Sequence, residues 1–267
     1  MERRRLKDII ILVLVLVDLF LLISLSYRGR AARSARERAV EQLVSLFAAD
    51  SIVLDPEAVS RDAVPPDRIL VRDPELDRAA AILLLGRDLI QTDRGGGIHA
   101  FSSGSKAAQF RDSGVFEAAG PLAREKGEVL CRAFCKEFHY AELSAQLEDG
   151  TGTIVAVREY GGLPVYNCTV TFQLERGALL TVQGTLLPED STESENAEAL
   201  SAQAALTAFL DMRRETGAVV SAVTGMHLCY ELQSTAAAPI SLTPAWCIET
   251  DTVDYYVNCR TGQFSQR

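Results

Sequence analysis

Apolar residues run from Ile9 to Leu25 with only Asp18 and Ser24 interrupting them. With Leu6 and Tyr27 as shoulders, the stretch meets the roughly 17–25 residues that a membrane-spanning helix needs. A cleaved signal peptide is the rival, with an apolar region of roughly 7–15 residues and a small-x-small cleavage site. Here the run passes through Ser26 and Tyr27 into Arg-rich sequence. That suits an uncleaved transmembrane helix over 9–26, although Ala31 and Ala32 keep cleavage open.

Beyond the run the period changes. Ala39, Val40, Leu43, Val44 and Phe47 recur at helical spacing, which predicts a juxtamembrane stalk helix within 27–50. Val64-Pro65-Pro66 breaks the chain, and Ile69-Leu70-Val71 reads as a short strand. Asp73-Pro74 opens a helix that stops at Gly86. Extended runs at 89–92, 98–101, 107–111 and 115–117, punctuated by glycines, predict a β-meander.

The remainder weakly repeats one plan, a helix followed by a meander. The first copy has a helix over 121–139 and strands at 144–148, 153–159, 165–174 and 179–185. The second has a helix over 197–214 and strands at 218–231, 244–250 and 255–259. Between them Glu189, Asp190, Glu193, Glu195 and Glu198 mark a solvated linker. The pattern predicts an α+β fold: one transmembrane helix, then helix-plus-antiparallel-meander units over 51–190 and 191–267.

Composition divides this picture by environment. Of 267 residues, 48% are hydrophobic and 24% charged, so most of the chain buries a core. The net charge of −9 hides a split: residues 1–38 hold nine Arg/Lys against four acids, or +5, leaving −14 elsewhere. An acidic body excludes nucleic acid, whose phosphates need a basic face. The basic end flanks the apolar run, and its expected neighbour is membrane lipid. Four Lys/Arg precede the run and five follow, so charge alone does not orient it. Size does: a short tail, residues 1–8, precedes the helix and the whole body follows. The expectation is a single-pass protein of the cell membrane with a cytoplasmic tail and an extracytoplasmic body.

Asp18 sits near mid-span, where a carboxylate costs about 2.5–3.5 kcal/mol on insertion scales. Either it is protonated or bonded to a nearby Ser, or it meets a polar group on a partner helix. Both readings stand at this point.

Little of the sequence reads as chemistry. Ser103-Gly104-Ser105-Lys106, Ser194-Glu195-Asn196 and Arg260-Thr261-Gly262 follow the order of S-x-x-K, S-x-N and an approximate K-T-G, a serine acyl-enzyme pattern. That chemistry needs Ser103 and Lys106 on one turn of a buried helix start. The local sequence instead predicts a Gly-rich meander, with Ser194 and Asn196 capping the next helix and Thr261-Gly262 in a turn. His99, His139 and His227 are far apart, and neither H-E-x-x-H nor C-x-x-C occurs, so a metal site lacks its usual signature. Gly95-Gly96-Gly97 reads as a hairpin turn, not a phosphate loop. No cofactor, metal or small-molecule substrate is inferred. Of six cysteines, Cys131 and Cys135 read as buried thiols one helical turn apart. Cys229 and Cys247, on strands expected to neighbour each other, form the candidate disulfide. Asn167-Cys168-Thr169 fits a glycosylation sequon and carries no functional weight.

Two resemblances complete the reading. Pro244-Ala245-Trp246-Cys247-Ile248, Asp254-Tyr255-Tyr256-Val257-Asn258 and Arg260-Thr261-Gly262 resemble the last hairpin of a PepSY-type module. Across the whole chain, Arg3-Arg4-Arg5-Leu6-Lys7, the apolar Leu16-Val17-Asp18-Leu19-Phe20-Leu21-Leu22, Gly95-Gly96-Gly97-Ile98, Phe110-Arg111-Asp112-Ser113-Gly114-Val115-Phe116 and Glu159-Tyr160-Gly161-Gly162-Leu163-Pro164-Val165-Tyr166 come in the order of the YycI family, with its sister YycH family close behind. That resemblance implies a single-pass protein with an extracytoplasmic β-rich body and no catalytic residues. It implies regulation of a membrane sensor histidine kinase controlling cell-wall turnover, in complex with a YycH-like sister protein. Contact runs through the transmembrane helix, where the resemblance points to Asp18 and Phe20. The six cysteines and the Arg-rich stalk depart from the family pattern. The alternative is a PepSY-type extracytoplasmic module that inhibits or chaperones an exported enzyme.

Overall fold

The computed structural model describes Val17 and residues 37–71, 73–194, 198–235 and 238–266. The expected span, with Asp18 and Phe20, lies outside these residues apart from Val17. Among the described residues no helix is long and apolar enough to cross a membrane.

Among the described residues the chain is mixed α+β, with a largely antiparallel sheet and four α-helices. The helices are α1 (37–49), α2 (Pro74–Leu85), α3 (Gly127–Glu137) and α4 (Ala202–Thr216). The strands are β1 (Val53–Leu54), β2 (Arg68–Leu70), β3 (Ile90–Asp93), β4 (Ile98–Ser103), β5 (Lys106–Arg111), β6 (Val115–Ala123), β7 (Tyr140–Glu148), β8 (Thr151–Tyr160), β9 (Leu163–Glu175), β10 (Ala178–Thr185), β11 (Ser191–Glu193), β12 (Ala222–Thr235), β13 (Ala238–Thr250), β14 (Tyr255–Asn258) and β15 (Phe264–Gln266). The main path runs β11-β2-β13-β12-β9-β10-β6-β5-β4-β3. All pairings are antiparallel except β1 with β12 and β12 with β9.

Two cores divide the molecule. In the first, α2 and α3 cover β4–β6 and β8–β10, and alternate residues of those strands point inward. A file of phenylalanines forms its centre: Phe101, Phe110, Phe116, Phe134 and Phe172 stand with successive ring centroids 5.4–5.7 Å apart. The helices end where the sequence says they must. The Asp73 carboxylate accepts from the Glu75 N–H at 2.9 Å to open α2, and Gly86 at φ 106° closes it. α3 is shorter than the periodicity predicts. Residues 121–123 extend β6, whose ladder with β10 outcompetes local helical preference.

The second core joins both ends of the described body. Leu43, Phe47, Ile52 and Leu54 pack with Leu206, Phe209, Trp246, Ile248 and Val257. The residues expected to form a stalk and open the first unit therefore belong, from 37 to 59, to the second unit's core. Phe47 stacks on Phe209 at 6.3 Å, and β1 adds a parallel strand to β12. α4 begins later than expected, capped by Ser201 rather than Ser194, its hydroxyl accepting from the Ala204 N–H, and Asn196 lies outside the described residues. Part of the expected linker is a strand: Ser191–Glu193 pairs with β2 as β11.

The units meet at β9 and β12, which share a single register pair, Tyr230 with Val165. Asn167 extends that pairing with its side chain. Its amide donates to the Leu232 carbonyl at 2.9 Å and its Oδ1 accepts from the Leu232 N–H at 2.7 Å. A carboxamide thus stands in for a peptide group, which explains Asn at this position without recourse to glycosylation. Tyr166 stacking on Tyr256 at 3.9 Å reinforces the seam.

Candidate functional site

Of the serine acyl-enzyme residues, Ser194 and Arg260 meet at Asp67, while Ser103 and Lys106 share a hairpin. Ser103 and Lys106 face each other across a two-residue hairpin loop between β4 and β5, and Lys106 Nζ donates to the Leu122 carbonyl at 3.0 Å. Ser194 uses its N–H on the Asp67 carbonyl, and Arg260 Nε pairs with Asp67 Oδ1 at 2.9 Å. Each histidine sits beside a carboxylate: His99 by Asp112 at 3.4 Å, His139 by Glu189 at 2.5 Å, His227 by Glu249 at 3.3 Å. Among the described residues no cluster of His, Cys, Asp and Glu is placed to hold a metal ion.

Cys229 and Cys247 lie on adjacent strands, but the pairing is not direct. Cys229 faces Ala245 and Cys247 faces His227. Such diagonal neighbours stand roughly 7–8 Å apart, beyond the usual Cα reach of a disulfide, about 4.4–6.8 Å. No disulfide joins any of the six cysteines in the structure. Burial pushes the Cys168, Cys247 and Cys259 thiols up to about 12, and pushes Cys229 up as well. Thiols so held are poor nucleophiles.

A polar cluster that the sequence reading did not single out lies beside the seam. β8 carries Ile154, Ala156 and Arg158 in inward phase, so the guanidinium follows two apolar side chains into the interior. Arg158 is 2% exposed. Its Nη1 donates to the His139 carbonyl at 3.0 Å and the Glu159 carbonyl at 2.8 Å. His139 adopts a left-handed conformation, φ 53°, at the α3–β7 corner. The guanidinium lies 5.9 Å from the centre of the Tyr140 ring. The Tyr140 hydroxyl and Cys168 Sγ both donate to the Thr185 carbonyl, the thiol from 3.2 Å. Burial, the largest effect on each, lowers the Arg158 pKa and raises that of Tyr140. The sequence signal was the charge at an i+4 position of an alternating apolar strand.

Arg158 lines an open cleft of about 440 Å³ with Arg68, His139, Glu159, Tyr160, Gly161, Gly162 and Glu189. The Tyr160 hydroxyl donates to the Glu189 carbonyl at 2.8 Å and lies 2.7 Å from Ser191 Oγ, while its ring meets Tyr230 edge-on at 6.1 Å. The cleft is lined by two arginines, a histidine and two carboxylates, a convergence of polar groups suited to holding a ligand.

No family model matches the chain, and no curated protein matches it. Among solved structures it is similar to an uncharacterized protein from Eubacterium rectale ATCC 33656, at TM-score 0.43 and 12% identity over 76% of this chain and 81% of that one. It is similar also to the Bacillus megaterium YpeB C-terminal domain, at TM-score 0.37 and 11% identity over 74% of this chain and 98% of that one.

Proposed function

We propose that the protein is a membrane-anchored regulator that works by binding. In this reading it contacts a sensor histidine kinase of a two-component system controlling cell-wall metabolism, together with a YycH-like partner. The fold is read as YycH/YycI-like, with a PepSY-like second unit. The carrying observation is the succession of an acid-bearing apolar run, Ile9 to Leu25, and a folded body whose described part opens with α1. An intramembrane acid is by default a contact for a partner. The body supports the reading by ending in an open strand: all four residues of β3 are exposed, Ile90 at 69%. Unpaired edge groups offer a further strand a place to add.

The test is photo-crosslinking from position 18 in living cells, with kinase output measured beside it in Asp18→Leu. Recovery of a kinase, together with altered output, supports the reading. Unchanged crosslinking and unchanged output overturn it. Recovery of a secreted hydrolase without a kinase transfers the assignment to an inhibitor or chaperone of an exported enzyme.

A further inference from the structure

We propose that the cleft beside the seam binds a small oxyanion, a carboxylate or phosphate group, with Arg158 as its anchor and Arg68 and His139 at its mouth. Arg158 is buried and its guanidinium does not escape charge by losing a proton at neutral pH. Among the described residues no carboxylate is bonded to it. Its hydrogen bonds all leave from Nη1, to backbone carbonyls, and its buried Nε–H has no partner. A buried cation satisfied on one side alone is costly, because burial removes water from every donor and returns acceptors to only some of them. The Nε–Nη2 edge left over presents two parallel donors, the fork that matches the two oxygens of a carboxylate or phosphate. Arg68 differs in holding a carboxylate, Nη1 to Glu193 at 2.9 Å, but its buried Nε is likewise without a partner.

Two acids, Glu159 and Glu189, share the cleft, and the Glu189 charge acts on Arg158, but neither is hydrogen-bonded to it. Glu189 lies 2.5 Å from His139, Glu193 is held by Arg68, and Glu159 is exposed at the rim. Their presence selects against a polyanion and in favour of a single oxyanion group. The cleft volume is within the ordinary range for a small-molecule site, roughly 300–1,000 Å³.

The test uses the full chain in detergent micelles, titrated with sodium acetate and with inorganic phosphate against sodium chloride at matched ionic strength. Readouts are the thermal midpoint and the ¹⁵N–¹H resonance of the Arg158 Nε–H. Saturable change with acetate assigns a carboxylate ligand, and saturable change with phosphate assigns a phosphate. Either result supports the proposal when Arg158→Gln weakens apparent affinity about tenfold or more, the order expected for a lost charged hydrogen bond. Should Arg158→Gln not fold, the half-exposed Arg68→Gln and the wild-type Nε–H resonance decide. No saturable response to either anion overturns the proposal. So does an unmoved Nε–H resonance, or equal affinity in wild type, Arg68→Gln and Arg158→Gln.

Discussion

Phe47→Ala tests whether α1 is part of the body. Phe47 is fully buried and stacks on Phe209 with the rings 12° from parallel. Truncating a buried Phe costs about 3–5 kcal/mol, from lost transfer energy and the void left behind. The aromatic pair adds a coupling of about 0.5–1.5 kcal/mol. For a body of this size each kcal/mol moves the midpoint by about 2–4 °C, so the fall should be roughly 6–20 °C. Leu46, one residue earlier and 46% exposed, is the internal control. Leu46→Ala should change stability by less than about 1 kcal/mol. The assay is urea and thermal unfolding of the full chain in micelles, followed by the double-mutant cycle with Phe209→Ala. Equal effects of the two single substitutions, or Phe47→Ala within about 1 kcal/mol of wild type, would refute the docked helix and restore the free stalk.

Further expectations can be checked on the same preparation. Trp246 is buried and its Nε1–H donates to the Leu200 carbonyl at 2.8 Å. Trp246→Phe should cost about 1–3 kcal/mol through the orphaned carbonyl, and wild-type emission should be blue-shifted; red emission in the native state argues against burial. Under non-reducing conditions at pH 8, Cys135 should react with a thiol reagent first and the buried thiols only on denaturation. Six reactive thiols in the unfolded chain are expected, and four would restore a disulfide. Asp251 accepts from the Ser221 and Ala222 N–H groups, which hold its carboxyl below the ordinary value of about 3.8. Its stabilisation is present above that value and is lost as pH falls through the depressed one. Asp251→Asn should flatten the acid limb of the stability profile, and an unchanged limb counts against this role.

The sequence made the strands legible wherever one face is buried. The alternation in 98–101, 107–111 and 165–174 gave β4, β5 and β9 nearly residue for residue. Asp73-Pro74 and Gly86 bounded α2 because capping is local chemistry. What could not be read was long-range pairing. Nothing near Ser191–Glu193 announces that an acidic stretch pairs with β2, and Phe47 looks the same in a stalk as in a core. Arg158 was visible only as a charge in apolar phase; its ligand-like environment needed His139, Arg68 and Glu189 brought together from three other segments. The candidate disulfide failed at register. Neighbouring strands were foreseen, but a two-residue offset separates Cys229 from Cys247.

The second core, assembled from both ends of the described body, sets an order of events during synthesis. Arg214 and Asp50, paired at 2.8 Å, are 164 residues apart in the chain. At the usual ribosomal pace that interval lasts on the order of ten to thirty seconds. The first core is continuous in sequence from α2 to β10 and can condense within the wait, since its closures are short. Leu43, Phe47, Ile52 and Leu54 cannot, and they stay wet until α4 and β12–β14 have emerged. The nascent chain therefore carries an exposed greasy segment ahead of an already condensed first core, where a holding chaperone or the membrane surface would find it.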